Sequence, residues 1–86
     1  MRLWAALVRC EGLDGRLRVS FLTVHAPNRH RALLAVRERL PENPAFCDDS
    51  GQLLPHNVDE LRQCRESEVN DLMRSFLGLV DEGWTF

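Results

Sequence analysis

At 86 residues the chain has material for one domain, 1–86, with one core, and chains of this size bury only about 60% of their unfolded surface. A hydrophobic fraction of 44% and a charged fraction of 28% are globular usage and exclude a disordered chain. The net charge of −2 disfavours tracking along a nucleic-acid backbone, but it averages a basic half (1–43, eight Arg against four acids) and an acidic half (44–86, three Arg against nine acids). Such a split implies a dipolar surface or internal pairing, of which internal pairing is the simpler.

In chain order, residues 2–10 and 16–25 read as two strands joined by Glu11-Gly12-Leu13-Asp14-Gly15, a hairpin signal of two glycines and an aspartate in five residues. With Cys10 opposite Arg16, Leu7 faces Val19, Ala5 faces Phe21 and Leu3 faces Thr23, a side suited to a core. The other side carries Trp4, Leu22, Val24 and Val8. Without a helix above it, this side is an apolar patch of the kind that forms interfaces. A homodimer through it would enlarge a small core. Folding of Trp84 and Phe86 across the same side is the equal alternative. Pro27 ends the second strand.

Asn28 is placed to cap a helix running to about Leu40, with Ala32, Leu33, Val36 and Leu40 at helical spacing and Pro41 as its stop. Ala45-Phe46-Cys47 and Gln52-Leu53-Leu54 flank the turn sequence Asp48-Asp49-Ser50-Gly51, predicting a short third strand or a small hairpin. Asn57 and Glu60 have capping-box spacing, so a helix is expected from Val58. Val69–Val80 is the strongest helical pattern, either continuous with 58–66 or capped separately by Ser67. Gly83 is the expected terminator. The expected fold is α+β: a small antiparallel sheet, with two or three helices on one face.

Chemistry-bearing residues are sparse. Cys10, Cys47 and Cys64 are odd in number and lack CxxC spacing, which argues against a disulfide framework and for a reducing compartment. Cys47, Asp48 and His56 hold the residue types of an activated thiol, but the spacing does not select that over a small buried cysteine beside a turn. No ligand pair has metal-finger spacing. His25, His30 and His56 read as surface or cap residues. Arg29 and Arg31 at a helix start form the best anion signal, although no glycine-rich loop precedes them and no aromatic lies among them for base stacking. The acids from Asp59 to Asp71 alternate with Arg62, Arg65 and Arg74 at helical pair spacing, as on a solvated face. Every basic residue is arginine, and isoleucine is absent along with lysine. The joint loss points to the codon usage of a GC-rich gene. No stretch approaches the ~20 apolar residues that span a bilayer; Leu3–Val8 is interrupted by Arg9 and reads as a strand.

These readings point to a cytoplasmic, non-enzymatic interaction protein without cofactor or metal. Trp4, Leu22 and Val24, with Arg29 and Arg31, are its candidate contact residues. The alternative is a dimeric regulatory module that binds nucleic acid or a partner through Arg29 and Arg31. The stretch Val19–Leu40, a strand through Thr23-Val24-His25-Ala26 into an alanine-containing helix, resembles small phage accessory proteins of the anti-CRISPR type. That resemblance covers about a quarter of the chain and implies a stoichiometric inhibitor of a bacterial protein or ribonucleoprotein complex. It transfers no binding residue.

Overall fold

A computed structural model describes the backbone of residues 1–80 and their side chains except those of Leu77, Leu79 and Val80. The elements are β1 (Arg2–Glu11), β2 (Leu17–Ala26), α1 (Arg29–Arg39), β3 (His56–Cys64) and α2 (Val69–Val80). Short 3-10 turns occupy Leu40–Glu42, Pro44–Phe46 and Glu66–Glu68. The fold is α+β: a three-stranded antiparallel sheet in the order β2-β1-β3, with two helices.

The β1–β2 loop spans residues 12–16. Gly15 N–H donates to Gly12 O at 3.0 Å and Gly12 N–H to Arg16 O at 2.8 Å. Gly15 has φ +75°, a left-handed conformation that costs an L side chain and suits glycine. Glu11 therefore pairs with Leu17, Leu7 with Phe21, Ala5 with Thr23 and Trp4 with Val24. The expected register, Cys10 opposite Arg16, is displaced by two residues. An even displacement preserves the division of side chains between faces.

The sheet carries one helix on each face, where both helices were expected on the same one. On the first face, Trp4, Ala6, Val8, Cys10, Val24 and Leu61 pack with Ala32, Val36 and Leu40 from α1 and with Phe46 and Leu54 from the following loop. On the second, Ala5 and Leu7 pack with Phe76 of α2, and Val19, Phe21, Cys64 and Leu72 lie half-buried around them. The rings of Phe21 and Phe76 meet at 5.8 Å and 57°. The arginines of α1 and the acid of α2, Asp71, thus lie on opposite sides of the sheet. Among the described residues, the ion pair Arg9–Asp59 at 3.1 Å joins the basic half to the acidic half, and Arg18–Asp14 at 3.3 Å lies within the basic half.

The third strand is the segment expected to be helical. Leu7 pairs with Glu60 and Val8 with Val58, which leaves Asp59 as an extra residue in β3. Residues 58 and 61 of a regular strand point to opposite faces. The inserted residue brings both Val58 and Leu61 to the α1 face. Their i, i+3 spacing imitates a helix for this reason, and the Asn57/Glu60 cap pattern has no helix to cap. The expected short hairpin is present in reduced form. Cys47 and Leu53 form one bridge, and Asp48 closes the turn by accepting from Ser50 Oγ at 2.7 Å and from the Ser50 and Gln52 N–H groups at 2.9 Å each.

Both helices begin where local chemistry dictates. Asn28 Oδ1 accepts the Arg31 N–H at 2.9 Å, satisfying an otherwise orphaned helix donor. Before α2, Glu68 Oε1 accepts the Arg65 N–H at 3.0 Å and Glu68 N–H donates to Arg65 O at 2.9 Å. The cap is thus built from Arg65 and Glu68, where Ser67 was the expected capping residue. Gly83, Trp84 and Phe86 lie outside the described residues.

Candidate functional site

The expected apolar contact patch is interior. Trp4 is 7% exposed and Val24 5% exposed, and α1 covers both, with Leu22 packed at the edge of the same cluster. Trp4 Nε1–H donates to Ala26 O at 3.1 Å, across 22 residues of sequence. A buried indole donor needs such a partner. Trp4 and Val24 are therefore core residues, and Leu22 is half-buried against them. Helix α1 does the covering by burying Ala32 and Val36, small and medium apolar side chains, against the sheet.

The surface that remains is the outer side of α1. The helix carries Arg29, Arg31, Arg37 and Arg39 against one acid, Glu38. Two of these arginines are occupied. Arg29 Nη1 donates to Leu61 O of β3 at 2.6 Å, and Arg39 Nη1 to Thr23 O of β2 at 2.5 Å. The outer strands of the sheet are thereby held from opposite ends of one helix, each guanidinium satisfying a carbonyl at a sheet edge. Arg31 and Arg37 are exposed and have no acid at i±3 or i±4 on the helix. Leu34 lies between them, 38% exposed. Of the two anion candidates at the helix start, Arg29 is committed to the sheet and Arg31 is free for a partner. The sequence pattern gave no reason to favour Arg37 over the other helix arginines.

Between α1 and β3 runs a groove of about 290 Å³ bordered by Arg29, Leu33 and Arg37 on the helix and by His56, Val58 and Leu61 on the strand. His56 Nδ1 lies 3.1 Å from Leu54 O, a carbonyl that can only accept, so that nitrogen is the donor. Nε2 is buried without a hydrogen-bond partner among the described residues. A second groove, of about 310 Å³, lies at the hairpin tip beside Arg16, Arg18 and Phe46. Its Arg18 is held by Asp14 Oδ2 at 3.3 Å and by Ala45 O at 3.0 Å.

Cys47, Asp48 and His56 do not form a nucleophilic unit. The Cys47 sulfur lies 3.6 Å from Pro41 O and 3.7 Å from Asn43 O, His56 turns to Leu54 O, and the Asp48 carboxylate is engaged by its own turn. Hydrogen bonds from Ser50 and from the Gln52 backbone hold the Asp48 carboxyl below the usual range. The Arg16 backbone N–H, foremost, does the same for Asp14. Burial raises the Cys10 and Cys64 thiols, which favours the protonated, unreactive form. Among the described residues no group of three or more His, Cys, Asp or Glu gathers as a metal site, and no helix is long and apolar enough to cross a membrane. No protein-family model, curated protein or solved structure matches this chain.

Proposed function

We propose that this chain is a cytoplasmic, non-enzymatic interaction protein that engages an acidic partner through the outer face of α1. The observation that carries the reading is the pair Arg31 and Arg37, exposed and without an acidic partner among the described residues, with Leu34 between them. Arginine beside an exposed aliphatic side chain is a composition enriched at protein interfaces. The sheet face first expected to bind is closed, and the cationic helix takes its place. A stoichiometric inhibitor of a bacterial protein or ribonucleoprotein complex, the form the phage-protein resemblance implies, is compatible with this surface. The basic helix also suits the alternative partner, nucleic acid. The protein partner is preferred because the surface sets guanidinium groups beside an exposed aliphatic residue, Leu34, and carries no Phe, Tyr or Trp.

The test is affinity capture from host lysate with three tagged forms: the native chain, Arg31→Glu/Arg37→Glu, and the control Asp71→Arg on α2. The expected outcome is one stoichiometric complex retained by the native chain and the control and lost by the α1 variant. Equal recovery by the α1 variant, or recovery that disappears on nuclease treatment, overturns the reading.

A further inference from the structure

We infer that the groove between α1 and β3 binds an extended acidic peptide, which adds to the outer edge of β3 as a fourth strand. This rests on the reading of α1 as the contact surface and names the class of partner. Three observations carry it.

First, β3 is an outer strand, with β1 on one side and no strand on the other among the described residues. Such an edge presents backbone donors and acceptors that an added strand satisfies. Leu61 O of this strand accepts from the side chain of Arg29 at 2.6 Å. In the empty groove that guanidinium keeps the carbonyl satisfied. On peptide binding, Leu61 O accepts a peptide N–H and Arg29 turns to a carboxylate, so neither group is left without a partner.

Second, Arg29, Leu33 and Arg37 are spaced i, i+4, i+8 along α1 and border one groove. Eight residues of helix rise by ~12 Å. Four residues of extended chain span ~13 Å, and alternate residues share a face. A peptide of the pattern acid-x-apolar-x-acid therefore sets its two carboxylates at Arg29 and Arg37 and its apolar side chain on Leu33.

Third, Leu33, Val58 and Leu61 form an aliphatic patch in the border, which His56 and Asn57 complete with polar groups. That patch accepts an aliphatic side chain, and Asn57 offers a further hydrogen-bonding group to a peptide. A peptide backbone matches a strand edge in donors and acceptors, whereas a phosphodiester supplies acceptors only.

The test uses the full chain, ¹⁵N-labelled, titrated with acetyl-Thr-Glu-Thr-Val-Thr-Glu-Thr-amide, the same peptide with both Glu replaced by Gln, and a single-stranded oligouridylate. The expected result is saturable amide shifts along 56–63 and α1 with the Glu peptide, and slowed hydrogen exchange at β3 edge amides. Loss of one charge-assisted contact is expected to weaken binding about tenfold in Arg37→Gln, and loss of both about a hundredfold in the Gln peptide. Arg37 makes no hydrogen bond or ion pair among the described residues, so the Arg37→Gln spectrum should otherwise match that of the native chain. Equal binding of the Gln peptide, shifts confined to other elements, absence of shifts, or preference for the oligouridylate overturns the inference. If the captured partner still depends on Arg31 and Arg37 while the peptide leaves β3 unshifted, the cationic surface stands and the added strand fails. If capture is indifferent to those arginines, the surface itself fails.

Discussion

On one face of the sheet α1 lays Ala32, Val36 and Leu40 over Trp4, Val24 and Leu61, and its end arginines reach past the sheet to a carbonyl on each outer strand. On the other face α2 brings Phe76 and Leu72 onto Ala5, Leu7 and Phe21, and the described side chains around them stay half-buried. The first closure is a layer fastened at its two edges. The second is a helix resting on a central apolar contact. On the described contacts, the first face is expected to carry the global stability and the second to open first, which hydrogen exchange would show.

The largest expected effect is at the fastened face. Trp4→Ala removes a buried ring and leaves Ala26 O without its donor, at an expected cost of about 3–5 kcal/mol, enough to unfold a chain of this size. Trp4→Phe keeps most of the volume and loses the hydrogen bond, for about 1 kcal/mol. Denaturant titration checks both, and equal stability of Trp4→Phe and native chain would remove the Trp4–Ala26 link from the account.

Phe76→Ala is the matching change on the second face, at about 3 kcal/mol, the lower end for a buried aromatic. The comparison makes a sharper demand on hydrogen exchange. In this variant α2 amides should exchange freely while α1 and the three strands keep their protection. Simultaneous loss of protection everywhere would mean that the two faces unfold as one unit and that the contrast is false.

The hairpin and the division of its faces were legible in the sequence because a period of two and a glycine-bearing turn are local signals. The register was not. A five-residue loop can be drawn from 11–15 or from 12–16, and the choice rests on Gly15 adopting positive φ and on the Gly12–Arg16 hydrogen bond. The bulge at Asp59 concealed β3 by giving Val58 and Leu61 a helical spacing. The placement of the helices was hidden for a different reason. Both faces of the hairpin are apolar enough to be covered, and the sequence does not say that two helices divide between them. This is also why Trp4 read as an interface residue and Arg37 went unremarked: exposure is decided by which element lands above each face.

Acid should act on the turns before it reaches either core. The lowered Asp14 and Asp48 carboxyls bind protons less readily folded than unfolded. Their contribution is therefore present above the ordinary carboxylate value of 3.8 and declines as pH falls below it toward the folded value. Melting temperature measured against pH should fall on this acid limb. Asp48→Asn should lower the plateau slightly and flatten the limb, because the amide still accepts from Ser50 and no longer titrates. A limb of unchanged steepness in this variant assigns the acid sensitivity elsewhere.

The smallest effect on stability is expected where the functional consequence is greatest. Arg31→Glu and Arg37→Glu replace exposed side chains that have no acidic partner among the described residues, so each should shift unfolding by less than about 0.5 kcal/mol. The edge-tying Arg39→Ala should cost more than either, because Thr23 O loses its donor, and it should also raise self-association by freeing the edge of β2. Sedimentation at several concentrations separates the two classes. Association should rise for Arg39→Ala and stay flat for Arg31→Glu and Arg37→Glu. If the outward arginines prove as costly to stability as the edge-tying one, α1 has no surface to spare for a partner, and its charge is structural throughout.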